Sequence, residues 1–284
     1  MNIKRAVRFL ERYVLAVAGM AYLLTWGLLK GRHRWFLEEL CRHVFPSRSA
    51  SGTSAKEERR LPCAPYASLV KDDRPIVVLE LVEASGNVSP AELVMINKIA
   101  AAGAPDRCCE IGTFDGRTTM NLAANTPASC EIITLDLPPD LEGGTRYELA
   151  HDDYRFVPRE GSGRRFKGTV YEGRITQILG DSATVDLSKY HGRMDLVFVD
   201  GGHSEDYVRK DTLTAFQLLK PSGGVILWHD YRSPSWPGVT QVLEDRAGAQ
   251  RGFDLRIHSQ VPAGSGLSSS AALGSTRTLP KQRK

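Results

Sequence analysis

Residues 107–116 read RCCEIGTFDG and residues 131–137 read EIITLDL. Each is a short apolar run of strand length that ends on an acid, Glu110 or Asp136, and the first runs straight into a turn holding Gly112 and Gly116. Glycine allows backbone to turn at positive φ and to pass close to a ligand or another strand. Between the two runs, Thr118 to Asn125 reads as a helix. Strand, glycine turn, helix and strand make one βαβ unit, and units of this kind build a parallel sheet.

The same alternation extends in both directions. Upstream, Ile76–Leu81 (IVVLEL) is a strand-like run, and Ser89-Pro90 supplies a capping serine and a first-turn proline for a helix over Leu93–Ala102, ended by Gly103 and Pro105. Downstream come strands at Ile175–Leu179, Asp195–Asp200 and Gly224–Trp228, with a helix over Tyr207–Leu219. Uninterrupted apolar strands between helices indicate a sheet buried on both faces. The expected fold is therefore a doubly wound, mostly parallel, seven-stranded α/β sheet with helices on both faces, preceded by an N-terminal hydrophobic helix. Such sheets bind ligands at the carboxyl ends of their strands. Gly112 to Gly116, Asp136, Asp181, Asp200 to His203 and the pair His229-Asp230 all fall at strand ends.

At 284 residues, 42% hydrophobic and 25% charged, the chain has the composition of one globular domain with appendages. Its formal net charge of +4 is gathered in the N-terminal segment, in Arg159–Arg174 and in the tail, which argues against a nucleic-acid partner. The five cysteines show no paired spacing, and Cys108 and Cys109 fall in a strand as small buried hydrophobes, so a reducing, cytoplasmic setting is expected for the main domain. Residues 1–45 form a hydrophobic and basic helical segment. Its uncharged run from Tyr13 to Leu29 would span roughly 25 Å as a helix, short of the ~30 Å of a bilayer core. It either anchors the protein at the inner face of a membrane, spanning it or lying on it, or packs against protein. Residues 46–74 read as a linker, 75–262 as the main domain with a long polar insertion at 138–174, and 263–284 as a basic tail. Within the insertion, Arg159, Arg164, Arg165 and Lys167 either meet an anionic acceptor or form a solvated face.

The chemistry sits in the strand-end acids. Glu110 with Gly112 shapes a close backbone turn, but the dinucleotide pattern G-x-G-x-x-G is absent. About two dozen residues on, Asp136 stands where a carboxylate accepts the ribose hydroxyls of an adenosine group; the alternative is a plain loop acid before Pro138. His203 has an ordinary pKa near neutrality and suits a proton acceptor, or else a cap for the helix beginning near Glu205. Trp228, Tyr231 and Trp236 either line an acceptor pocket or belong to the core.

The segments CCEIGTFDGRTT, IITLDL, ILGDS, DLVFVDGGHSEDYVRKD and LLKPSGGVILWHDY, between Cys108 and Tyr231, match in order and spacing the small-molecule O-methyltransferase branch of the class I S-adenosylmethionine-dependent methyltransferases. The chain resembles that family over somewhat under half its length. The resemblance implies that Glu110 and Gly112 line the methionine part of S-adenosylmethionine, with Thr118 or Thr119 near its carboxylate. It further implies that Asp136 holds the ribose and that Asp181 with Ser182 faces the adenine. Around Asp200 and His203 the chain is most similar to macrolide sugar O-methyltransferases, where the aspartate is a metal ligand and the histidine a base. Those enzymes complete a magnesium site with two acids, whereas this chain has His229-Asp230, so Asp200 and Asp230, with His229 as ligand or neighbour, are the candidate metal residues and Mg2+ is an open expectation.

The expected activity is methyl transfer to a hydroxyl of a sugar, glycolipid or secondary metabolite. Two other readings stay open at this stage: a nucleotide-binding oxidoreductase on a similar sheet, and a membrane-tethered module that binds the cofactor without turning it over. Neither acceptor identity nor oligomeric state is legible.

Overall fold

In the computed structural model the described residues are 13–14, 17–19, 21–22, 25, 63–64, 70, 73–82, 85–140, 144–157, 161–233, 235–249, 256–258 and 273–275. The chain divides into two units, Met1–Glu58 and Arg59–Lys284. In the first, the described residues from 13 to 22 are helical, and Thr25 closes a turn by donating its hydroxyl to the Ala21 carbonyl (2.7 Å). Among the described residues no helix is long and apolar enough to cross a membrane. Much of the apolar run 13–29 lies outside them, as do most of the linker and most of the tail.

The second unit is built on β2 (Arg107–Ile111), β3 (Glu131–Asp136), β4 (Ile175–Leu179), β5 (Leu196–Val199) and β6 (Val225–Trp228). Their order across the sheet is β4-β3-β2-β5-β6, and all are parallel. Four helices accompany them: α1 (Pro90–Gly103), α2 (Arg117–Ala124), α3 (Glu205–Leu218) and α4 (Pro237–Ala249). The expectation of one seven-stranded sheet is corrected to five strands among the described residues. Three further short strands, β1 (Cys63–Ala64), β7 (Arg256–His258) and β8 (Leu273–Ser275), form a separate sheet of mixed direction.

Two hydrophobic clusters flank the main sheet. Cys109, Ile111, Val197, Val199, Ile226 and Trp228 join Ala215 and Leu218 of α3 and Val242 and Leu243 of α4. Cys108, Ile132, Leu196 and Leu227 join Leu93, Ile96 and Ile99 of α1 and Leu122 of α2. Consecutive strand residues thus feed opposite faces, as the pleat requires. Ser89 and Glu92 form a reciprocal capping box ahead of Pro90.

The segment 76–81 is not a strand of the sheet. It is extended, but side chains pair its backbone. The Val77 amide donates to Asn125 Oδ1 (2.8 Å) while Asn125 Nδ2 donates to the Val77 carbonyl (2.7 Å). Leu79 repeats the pattern with Asn121, at 2.9 and 3.0 Å. One turn earlier on α2, the buried Arg117 donates to the carbonyls of Glu80 (2.6 Å), Val88 (2.7 Å) and Leu81 (3.2 Å). Residues 117, 121 and 125 recur at helical spacing, so one stripe of α2 does the work of a neighbouring strand. Asn121→Ala leaves the Leu79 amide and carbonyl without partners. It is expected to cost about 2–4 kcal/mol in chemical denaturation and to remove hydrogen-exchange protection at Leu79; unchanged protection there would show that the ladder contributes nothing.

Candidate active site

The sheet order reverses between β2 and β5, and the ends of these strands frame a cavity. Backbone bonds lace the strand ends together: the Asp200 amide donates to the Ile111 carbonyl, the Gly112 amide to Leu135 and the Gly180 amide to Asp136, each at 2.8 Å. Gly112 has φ 100°, and a Cβ on it would collide with the Asp200 carbonyl oxygen. The glycine expected at this turn is thus required by a close approach of two strand ends.

The cavity is lined in part by Gly112, Asp136 and Ser182. Asp136 accepts the Ser162 hydroxyl (2.7 Å) and the Leu137 amide (2.9 Å); burial outweighs these bonds and pushes its carboxyl up to about 6. Asp153, Asp200, His203, His229, Asp230 and Trp236 also line it. Leu149, Phe156 and Val157, like Asp153, come from the 138–174 insertion, so that segment supplies wall as well as polar groups.

Four expected cofactor residues sit elsewhere. Glu110, Thr118, Thr119 and Asp181 are not among the cavity-lining residues. Glu110 is buried behind the wall and accepts from the hydroxyls of Thr119 and Thr134. Asp181 ties a loop together, accepting from the amides of Arg146 (2.7 Å) and Ala183 (2.8 Å) and from the Tyr207 hydroxyl (2.9 Å). These strand-end acids brace the turns that shape the cavity. Burial pushes the Glu110 carboxyl up to about 8, against the two threonine bonds that favour its ionised form. Because the folded chain then holds this proton more tightly than an unfolded chain with a carboxyl near 4.5, the stabilisation is full below about pH 4.5 and is lost as pH rises through 8. Glu110→Gln is expected to be more stable than the parent at pH 9 by a few kcal/mol, the gap closing toward pH 5. Equal melting temperatures at pH 9 would contradict this.

The insertion also supplies a residue that the sequence does not single out. Asp153, buried on the turn Asp153–Arg155, faces His203 Nδ1 at 2.5 Å and accepts the His203 backbone amide at 3.0 Å. His203 Nε2 lies 3.0 Å from Asp230 Oδ2, and the ring stacks on Trp236 at 4.0 Å between centroids. Burial alone would lower the imidazole pKa, but bonding to Asp153 and Asp230 prevails and raises it to about 9. His203 precedes α3 without capping it: its ring is committed to two aspartates.

His229 stands among three acids. Its Nδ1 is 2.9 Å from Asp200 Oδ1 and 2.8 Å from Asp230 Oδ2, and its Nε2 is 3.4 Å from Glu92. Despite these short distances Nδ1 is buried with no properly aligned hydrogen bond. Asp200, His203 and Asp230 each present a ligand atom, all within 4.8 Å of one another. Convergent oxygens beside a buried nitrogen that lacks an aligned hydrogen-bond partner suit a divalent cation.

The other candidates resolve into packing. Trp228 and Tyr231 are buried core residues, donating to Thr212 (3.1 Å) and Glu244 (2.8 Å), and only Trp236 of the three lines the cavity. Arg165 pairs with Asp115 (2.6 Å) and Glu80 (2.7 Å), Arg164 lies 3.6 Å from Asp115, and Lys167 donates to the Ser162 carbonyl (3.0 Å). Arg159 lies outside the described residues. Arg164 and Arg165 tie the insertion to the domain, Lys167 bonds within the insertion, and none of the three lines the cavity.

Residues 109–231 match a family model described as a methyltransferase domain. A second model, the N-terminal domain of GHMP kinases, matches residues 237–277, of which 237–249 form α4 and most of the remainder lies outside the described residues. No curated protein matches the chain. Similar solved structures include the cofactor-bound Rv0187 from MTB, at 19% identity over 70% of this chain and 84% of that one with a TM-score of 0.49. They also include the SAH-bound methyltransferase PaMTH1 of Podospora anserina, at 20% identity, 69% and 81% coverage and a TM-score of 0.45. The O-methyltransferase TomG of Streptomyces achromogenes, solved with SAM, shows 17% identity, 70% and 90% coverage and a TM-score of 0.46. The β4-β3-β2-β5-β6 order and the strand-end glycine turn fall within the residues that match the methyltransferase domain model.

Proposed function

We propose that the protein transfers the methyl group of S-adenosylmethionine to a hydroxyl of an uncharged small molecule such as a sugar, glycolipid or secondary metabolite. The observation that carries this reading is the chain of contacts Asp153–His203–Asp230 in the cavity that Gly112 and Asp136 also line. A proton-accepting group thus shares a cavity with Gly112 and Asp136, the residues that the proposed cofactor would meet. In the reaction the acceptor oxygen forms a bond to the methyl carbon while the sulfur–carbon bond breaks and the sulfur keeps the electron pair. The hydroxyl proton passes to His203 Nε2. Asp153 holds Nδ1, and Nε2, which lies 3.0 Å from Asp230 Oδ2, would exchange that carboxylate for the acceptor hydroxyl. Asp200, Asp230 and His229 would hold a divalent ion, which when bound orients the acceptor oxygen and lowers its pKa.

The lining supports a neutral acceptor. Asp136, Asp153, Asp200 and Asp230 line the cavity, no arginine or lysine does so among the described residues, and Phe114, Leu149, Phe156 and Val157 add apolar surface. If residues 13–29 hold the protein at a membrane, lipid-linked acceptors become the first to try.

The test is transfer of labelled methyl from S-adenosylmethionine across a panel of neutral alcohols and sugars, with matched amines and phosphate esters. Label on oxygen of neutral acceptors is the expected result. Calorimetry that shows no binding of S-adenosylmethionine or its demethylated product, or label confined to nitrogen, would overturn the reading.

A further inference from the structure

The candidate ion site differs in kind from an all-oxygen magnesium site, and the difference lies in His229. Its Nδ1 approaches Asp200 Oδ1 and Asp230 Oδ2 at 2.9 and 2.8 Å, yet neither contact has hydrogen-bond alignment, and the nitrogen is shut off from solvent. Separations just under 3 Å are those between adjacent ligand atoms around an ion held at roughly 2.1 Å in near-octahedral geometry. The buried nitrogen and the two oxygens are therefore close enough to share one ion. On the far side of the ring, Glu92 lies 3.4 Å from Nε2, and the Ser89–Glu92 capping box anchors that carboxylate to the start of α1. A carboxylate on the distal ring nitrogen is the partner that fixes tautomer and orientation in metal-bound histidines.

We infer that His229 is a ligand, so that this mixed nitrogen and oxygen site prefers a divalent transition ion over Mg2+. Mg2+ dehydrates reluctantly and takes hard oxygen donors, whereas imidazole suits the later first-row ions. Glu92 is the positioning residue behind it. The inference rests on reading Asp200 and Asp230 as an ion site, but not on methyl transfer, so it is tested by binding alone.

The probes are Co2+ and Mg2+, titrated calorimetrically into the full chain after chelation, with the Co2+ absorption spectrum recorded alongside. Co2+ is expected to bind at least a hundredfold more tightly than Mg2+. In His229→Asp the Co2+ affinity should fall at least tenfold, Mg2+ affinity should rise, and the Co2+ bands should shift as nitrogen is replaced by oxygen. His229→Asn serves as the second variant if the aspartate variant does not fold, with the same fall in Co2+ affinity expected. Glu92→Gln should keep the Co2+ spectrum of the parent and weaken binding severalfold. Equal affinity of the parent for the two ions, no binding of either ion to folded parent protein, or a Co2+ spectrum unchanged in both His229 variants would overturn the inference. Loss of methyl transfer with ion selectivity intact would instead count against the proposed activity.

Discussion

Replacing His203 by alanine is expected to lower kcat/KM for the acceptor by about 10²–10⁴-fold, while the affinity for S-adenosylmethionine changes less than threefold. The asymmetry follows from contacts: the His203 ring is held by Asp153, Asp230 and Trp236, none of which is among the residues expected to bind the cofactor. The same geometry fixes a pH dependence. In the ion-free protein the two aspartates hold the imidazole proton up to about pH 9, so base catalysis grows with pH up to that value. Below it, each unit of pH costs about tenfold in the fraction of unprotonated ring. Asp153→Asn keeps an oxygen for Nδ1–H but removes one of the charges that raise the pKa. It should therefore move the rising limb of kcat/KM to lower pH and reduce the plateau. Nuclear magnetic resonance of the His203 ring follows the same titration without turnover. A limb that stays put in Asp153→Asn, or activity retained in His203→Ala, would remove this pair from the proton path.

How far the sequence could be read depended on whether a feature is local. The β2, β3, β5 and β6 runs are mostly apolar, and the structure places them within one or two residues of expectation because burial on both faces leaves little room for alternation; β4 matches too, although as an edge strand it is only partly buried. Gly112, Asp136, Ser182, Asp200, His203, His229 and Asp230 all reach the cavity, since strand ends at the reversal of sheet order must converge there. Asp153 was invisible: it lies on a short turn inside the insertion, with no periodicity to mark it, and meets His203 only through tertiary folding. Ile76–Leu81 misled for the opposite reason. Its apolar composition suits a sheet edge, but Asn121 and Asn125 on α2 satisfy the backbone that a neighbouring strand would have paired. The basic run of the insertion could not be judged without knowing that Asp115, close in sequence to Gly116, is buried and pairs with Arg165.

Gly112→Ala should have the largest effect on the fold and on cofactor binding together. At φ 100° an alanine is strained by about 1–3 kcal/mol whatever surrounds it. Here its Cβ would also run into the Asp200 carbonyl, which is backbone and cannot swing aside as a side-chain tip would. Relief requires β2 and β5 to part at their carboxyl ends, stretching the Asp200 amide bond to Ile111 and the Gly112 amide bond to Leu135. Overpacking of this kind adds about 1–3 kcal/mol, so the expected total is about 2–6 kcal/mol in denaturant unfolding. The strand ends that would part also carry Asp200 and shape the cavity wall beside Asp136, so S-adenosylmethionine affinity should fall at least tenfold even where the variant remains folded. Gly201, on the next turn, offers a control. A Cβ there would approach the Asp211 side chain at 2.8 Å, a group able to shift, so Gly201→Ala should cost less than Gly112→Ala. If the two variants proved equally stable, or Gly112→Ala bound cofactor as the parent does, the contact between the ends of β2 and β5 would not be what holds the cavity open to its ligand.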